Sequence, residues 1–135
     1  MTAGELDAGR EVERRILVVD DDELIREVAQ MSLEVIGGWR VTTAGGGQEA
    51  IDRARADLPD AIVMDVMMPG MDGPTAAVAL RADPATAGIP IVLLTAKVQS
   101  IRDGALAGLP VEGVLGKPFD PMLLPGELSA ILGWS

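Results

Sequence analysis

Three short runs of consecutive apolar residues and two weaker strand-like segments recur along the chain, separated by longer segments with helical spacing. Three runs are strong, at residues 16–19, 61–64 and 91–94, and two are weaker, at residues 39–43 and 113–115. Continuous apolar runs of four or five residues are typical of strands that are buried on both faces of a parallel sheet. The pattern therefore predicts five buried strands.

The first predicted helix follows the first strand. Asp22 is a favourable N-cap residue, and the Gly37-Gly38 pair ends the helical pattern. The apolar positions between them follow spacings of four, three and four residues and form one stripe, at Leu24, Val28, Met31 and Val35.

Four more helices are predicted. The second covers residues 48–56, ahead of Pro59, and the third begins at the Asp72-Gly73-Pro74 turn, with Pro74 as its first residue, and runs to about residue 82. The fourth is weaker, because glycines interrupt its apolar positions at Val98, Ile101 and Ala105. In the fifth, Asp120 is the predicted N-cap, Pro121 the first residue, and one face carries Leu124, Leu128 and Ile131.

Alternation of strands and helices predicts a doubly wound α/β sandwich of (βα)5 type. We expect a flavodoxin-like, five-stranded parallel sheet of order 2-1-3-4-5. Residues 1–14 carry six charges and little apolar content, so we interpret them as a flexible acidic N-terminal extension, and residues 15–135 as one domain.

Composition narrows the possible functions. The chain contains no cysteine and no histidine, which excludes disulfides, thiolate metal sites and catalytic triads that need histidine. Its formal net charge of −10 disfavours nucleic acid as a partner. The apolar runs are too short to span a membrane, and residues 1–13 do not have the pattern of a signal peptide. We therefore expect a cytoplasmic protein.

Polar residues follow the predicted strands where each strand ends. Asp20 and Asp21 follow the first strand, Asp65 the third, Thr95 the fourth and Lys117 the fifth. The carboxyl ends of parallel strands meet at one edge of the sheet, so these side chains are expected to converge. Crowded carboxylates repel one another unless cations join them, and hard oxygen ligands favour Mg²⁺, with Mn²⁺ as an alternative. A carboxylate beside such an ion can act as a nucleophile towards phosphorus.

Four sequence motifs resemble the receiver domains of bacterial two-component response regulators, particularly the stand-alone, chemotaxis-regulator-like ones. They are Arg-Ile-Leu-Val-Val-Asp-Asp-Asp at residues 15–22, Asp-Ala-Ile-Val-Met-Asp-Val-Met-Met-Pro-Gly-Met-Asp-Gly at 60–73, Leu-Thr-Ala at 94–96 and Lys-Pro-Phe at 117–119. Each motif is weak to moderate alone, but all four occur in order at strand ends. The resemblance covers about residues 15–133.

This resemblance implies a role for each site residue. Asp65 would be the phosphoacceptor, with Mg²⁺ held by Asp21 directly, by Asp20 largely through water, by Asp65 and by the backbone carbonyl of Met67. Thr95 would hydrogen-bond the phosphoryl group and move towards it on activation. Lys117 would pair with a phosphoryl oxygen, and the Lys117–Pro118 bond would be cis.

Three positions are expected to tune or switch the domain. Many receivers carry an aromatic residue three positions before the strand-5 lysine, where this chain has Val114. We therefore predict that the signal leaves through the loop after Thr95 and the fourth helix. In the family that the chain resembles, the positions of Met67 and Lys97 flank the entry of the attacking water. An apolar Met67 therefore predicts slow self-dephosphorylation.

The resemblance also implies partners. A sensor histidine kinase or a histidine phosphotransfer protein would supply the phosphoryl group. An unknown downstream protein would bind the face formed by the fourth helix, fifth strand and fifth helix. The chain ends shortly after the fifth helix, so it is either a stand-alone receiver or a receiver cut from a longer protein. We favour the former and expect a receiver without an output domain that signals by protein–protein contact and is not a turnover enzyme.

Three rival functions remain. Haloacid-dehalogenase-type phosphatases also use an aspartate nucleophile, but they need an acid where this chain has Met67. A nucleotide- or flavin-binding protein would need a phosphate-binding glycine motif, and Gly45-Gly46-Gly47 does not match one. A receiver that is never phosphorylated would not need the full set of acids together with Thr95 and Lys117.

Overall fold

The structure is a computed structural model, which describes residues 13–96 and 108–134. One sheet contains all the described strands: β1 (Arg15–Val19), β2 (Arg40–Ala44), β3 (Ala61–Asp65), β4 (Ile91–Thr95) and β5 (Gly113–Gly116). Neighbouring strands run parallel, in the order β2-β1-β3-β4-β5. The predicted flavodoxin-like sheet is confirmed, with the point where the strand order reverses between β1 and β3.

Helices cover both faces of the sheet. They are α1 (Glu23–Met31), which continues as a π-helical turn (Ser32–Ile36), α2 (Gly47–Asp57), α3 (Gly73–Ala82) and α4 (Leu124–Leu132). Helix α4 corresponds to the predicted fifth helix, whereas the predicted fourth helix, with Val98, Ile101 and Ala105, lies outside the described residues. Within the described ranges, no helix combines the length and apolarity needed to cross a bilayer.

The core has two layers, one on each face of the sheet. Alternate strand residues point to opposite faces, so Leu17 and Met64 pack towards α2 and α3, while Val18 and Val63 pack towards α1 and α4. Alanines on the inner faces of three helices let them approach the sheet closely, at Ala29, Ala50, Ala54, Ala76 and Ala77. The central strands β1, β3 and β4 are therefore buried on both faces, as their continuous apolar runs predict, whereas the edge strands β2 and β5 are only partly buried.

The apolar stripe predicted for the first helix faces outward, not towards the core. Leu24, Met31 and Val35 are 66%, 65% and 76% exposed, whereas Ala29 and Leu33 are fully buried. The helix carries apolar residues on two faces, and the smaller Ala29 fits against the sheet. The π-helical turn also shifts the phase of the residues after Met31, which the regular 3.6-residue spacing does not anticipate.

Two helix starts differ from their predicted positions. In α3, Asp72 is the N-cap and accepts the Thr75 N–H at 2.8 Å, so that Gly73 is the first helical residue and Pro74 the second. In the last helix, Asp120 instead organises a separate turn, because its carboxylate accepts the Met122 N–H at 2.9 Å. Helix α4 therefore begins three residues later than expected, at Leu124.

Close packing behind β3 requires a glycine at position 73. A Cβ atom at this position would overlap the Asp65 carbonyl oxygen and lie 3.1 Å from Val66 Cα. The Gly73 N–H also donates to the Val66 carbonyl at 2.9 Å, which closes the loop that follows Asp65. The glycine therefore lets α3 begin directly against the end of β3.

We predict that Gly73→Ala lowers the free energy of unfolding by about 1–3 kcal/mol, the usual range for overpacking a rigid site. Gly126→Ala in α4 is the matched control, since its Cβ would meet no atom within 4 Å. That change should be neutral or stabilise the protein by roughly 0.5 kcal/mol, because alanine favours the helix. Urea unfolding of both variants tests this, and equal midpoints would contradict it.

Candidate functional site

Asp20 and Asp65 lie side by side because β1 and β3 are neighbours in the sheet. Val19 is the register partner of Met64, so the residues that follow each of them meet at the same edge. Both aspartates are buried, at 0% and 5% exposure, whereas Asp21 faces solvent. One carboxylate oxygen from each of Asp20, Asp21 and Asp65 lies within 4.8 Å of the others. The predicted convergence of the three acids is confirmed.

Lys117 places its ammonium between the two buried carboxylates. Its Nζ lies 2.9 Å from Asp20 Oδ2 and 3.3 Å from Asp65 Oδ2. The residue follows β5, and its backbone N–H donates to the Thr95 carbonyl at 2.8 Å, which fixes where the side chain starts. The Lys117–Pro118 bond is cis, as the resemblance implies.

Two contacts hold Asp20 in place. Its Oδ1 accepts the Asp22 N–H at 2.9 Å, and its carbonyl accepts Arg26 Nη1 at 2.6 Å. Asp22 in turn caps α1, accepting the N–H groups of Leu24 and Ile25. The predicted capping role of Asp22 is confirmed. The contact of Arg26 with Asp20 was not predicted. Nothing in the local sequence indicates that an arginine in the first turns of a helix will fold back onto the end of the preceding strand.

Asp65 is held from the loop that follows it. Its Oδ1 accepts the Met67 N–H at 3.3 Å, and the Val66 N–H continues the ladder to the Leu94 carbonyl. The Met67 side chain is 76% exposed, while Met64 and Met68 are buried and Met71 packs against the core. The methionines near the site thus serve mainly in packing, and Met67 leaves the approach to Asp65 without a polar side chain from that position.

Thr95 and Val114 lie on the two strands beyond β3. Thr95 is buried at the end of β4, where its register partner is Gly116, and it is one position beyond the partner of Asp65. Val114 lies within β5 opposite Leu93 and packs against the α2–α3 side of the core. Lys97, the third position expected to tune the site, lies outside the described residues.

Burial and charge set the ionisation of this cluster. Burial first, and the Asp20 charge second, raise the pKa of Asp65 above its ordinary 3.8, although Lys117 and the Met67 N–H act in the opposite direction. Burial acts to lower the pKa of the Lys117 ammonium. The ammonium also forms a hydrogen bond with Asp20 and is attracted to its charge, and Asp65 interacts with it in the same two ways. These interactions outweigh burial and raise the pKa of Lys117 above 10.5. The lysine is therefore held in its charged form.

The donor set fits a hard divalent cation. Three carboxylates share the cluster, two of them are buried, and Lys117 supplies a single positive charge against them. Oxygen ligands without nitrogen or sulfur suit Mg²⁺, which keeps several waters and binds through one or two carboxylates. The exposed Asp21 leaves one side of the cluster open to solvent and to a phosphate.

We predict that Asp65→Asn stabilises the metal-free protein at pH 7 by on the order of 1 kcal/mol. Two carboxylates a few ångströms apart repel by a few kcal/mol at intermediate dielectric, and Lys117 offsets part of this. Because the folded-state pKa of Asp65 is raised, its ionisation costs stability, and this cost fades as the pH falls towards 3.8. The stabilisation of the variant should therefore disappear in acid.

Urea unfolding in the presence of a chelator measures this difference at pH 7 and near pH 4. Asp52→Asn is the control, because Asp52 is exposed on α2 and its carboxylate accepts a hydrogen bond from the exposed Gln48. Its stability should change by less than about 0.5 kcal/mol at both pH values. A destabilised Asp65→Asn protein at pH 7 would contradict the prediction.

Comparison with known proteins agrees with the geometry. Residues 16–128 match the family model described as "Response regulator receiver domain". The chain is 42% identical over 119 residues to the probable transcriptional regulatory protein TcrX of Mycobacterium tuberculosis. That match covers 87% of this chain and 49% of TcrX, so the chain spans about half the length of this relative.

Two solved structures share the fold. The chemotaxis response regulator CheY4 of Vibrio cholerae aligns with a TM-score of 0.75 and 31% identity, over 87% of this chain and 98% of that one. The receiver domain of the sensor histidine kinase PA1611 from Pseudomonas aeruginosa, described with a magnesium ion in its active site cleft, aligns with a TM-score of 0.78 and 32% identity. That alignment covers 89% of this chain and 98% of the PA1611 domain. The chain therefore belongs to the receiver-domain family of two-component response regulators.

Proposed function

We propose that Asp65 accepts a phosphoryl group from a phosphohistidine of a partner protein. The observation that carries this proposal is the buried pair of Asp20 and Asp65 around the Lys117 ammonium, with Asp21 at the open side. In the transfer, a carboxylate oxygen of Asp65 bonds to phosphorus as the P–N bond to the imidazole breaks. The imidazole then takes up a proton, and Asp65 becomes an acyl phosphate. The histidine belongs to the partner, since this chain has none.

Each neighbour has a part in this step. Lys117 offsets the negative charge of the incoming phosphoryl oxygens, and Thr95, buried at the end of β4, supplies a hydroxyl on the same edge. Asp20, Asp21, Asp65 and the Met67 carbonyl are the proposed ligands of Mg²⁺, or of Mn²⁺, which would neutralise the charge that gathers on the phosphoryl group. The magnesium described for the PA1611 receiver domain supports this assignment.

The protein would act as a switch, not as a turnover phosphatase. A phosphatase of the rival class needs an acid two residues after its nucleophile, and here that residue is the exposed, apolar Met67. With Val114 in β5, the outgoing signal would not depend on an aromatic side chain at that position. We propose that it passes instead through the segment after Thr95 to a protein bound near β5 and α4.

The phosphodonor would dock on the outward face of α1. Leu24 and Val28 line an apolar hollow of about 200 Å³ together with Lys117, Pro118 and Phe119. This hollow shares Lys117 with the site, so a partner seated there stands beside Asp65. Met31 and Val35 extend the apolar surface along the helix. Such a contiguous exposed patch is typical of a protein-binding surface.

We expect acetyl phosphate with Mg²⁺ to add the mass of one phosphoryl group to the protein, as intact-mass spectrometry would show. The adduct should be absent without Mg²⁺ and in Asp65→Asn, and present in the control Asp52→Asn, whose carboxylate lies on α2. An adduct that persists in Asp65→Asn would exclude Asp65 as the acceptor. Continuous release of phosphate at many equivalents per chain would favour the phosphatase.

The same sample gives the lifetime of the adduct after the donor is removed. We expect the phosphoryl group to persist for minutes or longer, because Met67 offers no polar group to orient an attacking water. Loss within seconds would contradict slow self-dephosphorylation.

Substitution on α1 should separate donor docking from chemistry. The donor is the phosphohistidine protein that labels the wild-type chain fastest in a kinase panel. In the double variant Leu24→Gln, Met31→Gln, transfer from this donor should slow about tenfold or more, since central apolar contacts dominate such interfaces. Labelling by acetyl phosphate should not change. Val78→Gln on α3 is the control, because Val78 is also exposed but lies on another helix. Equal slowing in the control would contradict docking on α1.

A further inference from the structure

A second cavity lies at the opposite edge of the sheet from the acidic site. It has a volume of about 540 Å³ and opens between the amino ends of β1 and β2 and the last turns of α2. We call it the basic cleft, and define it by Arg15, Arg40, Thr42, Arg53, Asp57 and Pro59. Its size lies within the range of small-molecule sites, about 300–1,000 Å³.

The basic cleft concentrates positive charge in an acidic protein. The chain carries a net charge of −10, yet three of the eight cationic side chains within residues 13–96 and 108–134 line this one cavity. Arg15 and Arg40 are register partners on neighbouring strands, so their side chains leave the same face of the sheet. Like charges directly opposite each other on a sheet are destabilising, and a bound anion would relieve this repulsion.

The present partners of these arginines leave room for a ligand. Arg15 donates Nη2 to the Asp57 carbonyl, which anchors its guanidinium at the cleft wall. Arg40 meets Glu13 at 3.4 Å and Arg53 meets Glu49 at 3.9 Å, in pairs whose side chains are about half exposed or more. Exposed pairs of this kind contribute at most about 1 kcal/mol, so a phosphate with bidentate geometry can replace them.

The rest of the lining favours an organic phosphate with an amino group. The guanidinium planes of the arginines in the cleft can stack on an aromatic ring. Asp57 also lines the cleft, and a carboxylate at this position would repel a simple anion but can accept a hydrogen bond from an amine. We propose that the basic cleft binds a nucleoside monophosphate, with its phosphate on Arg40 and Arg53 and its base amine facing Asp57.

Such binding would be independent of the phosphoacceptor site. Arg15 begins β1 and Asp20 follows its last residue, so the two sites are separated by the length of the strand, about 16 Å at 3.3 Å per residue. The ligand therefore needs no Mg²⁺. Its binding can be measured with the acidic cluster kept metal-free.

The test is an NMR titration of the ¹⁵N-labelled full chain with AMP in the presence of a chelator. We expect saturable amide shifts at the ends of β1, β2 and α2 that border the cleft, with a dissociation constant below about 1 mM. Arg40→Gln and Arg53→Gln should each weaken binding about tenfold, the loss expected for one charge-assisted contact. The matched control is Arg55→Gln, because Arg55 lies on the same helix but pairs with Asp83 outside the cleft.

Inorganic phosphate and adenosine distinguish the possible sources of binding. AMP should bind more tightly than either, because only AMP offers both a phosphate to the arginines and a base amine to Asp57. Equal binding of inorganic phosphate would overturn the nucleotide assignment in favour of free phosphate. Shifts centred on Asp20 and Asp65, equal weakening in Arg55→Gln, or no saturation at about 10 mM AMP would overturn the site itself.

Discussion

The buried contact of Lys117 with Asp20 and Asp65 is the constraint on which the rest of the functional edge depends. Two carboxylates with almost no solvent exposure would repel strongly without the ammonium between them. Strands β1, β3 and β5 each deliver one member of this cluster, so the sheet must be assembled before the contact exists. One ammonium does not neutralise the three carboxylates of the cluster, so the cluster keeps a net negative charge. This charge suits a site that binds a divalent cation together with a phosphate.

The surrounding backbone explains how so polar a cluster stays ordered at the end of an apolar sheet. Arg26 and the Asp22 N–H hold Asp20, and the close approach of Gly73 holds the loop behind Asp65. These contacts are short-range and rigid, whereas the Met67 side chain beside them is exposed. Asp65 is therefore fixed in place while its approach stays open, which is the arrangement that the proposed transfer of a phosphoryl group requires.

Three parts of the surface have different characters. The acidic edge holds the candidate phosphorylation site, the outward face of α1 beside it is apolar, and the opposite edge carries the basic cleft. Burial of Ala29 and Leu33 against the sheet leaves Leu24, Met31 and Val35 to solvent. Folding thus gives this helix one apolar face that packs on the sheet and one that is exposed to solvent.

The sequence by itself determined the strands and the five polar residues at their ends, because apolar runs and the residues that follow them are local signals. The strand order was expected from the doubly wound fold type, and the pairing of the strands confirms it. Tertiary structure decided which face of α1 is buried, since apolar spacing cannot rank two competing stripes and does not reveal a π-helical turn. It also decided the start of α4, where Asp120 caps a separate turn, and the contact of Arg26 with Asp20. The basic cleft depends on the pairing of β1 with β2, which brings together arginines that lie far apart in the sequence.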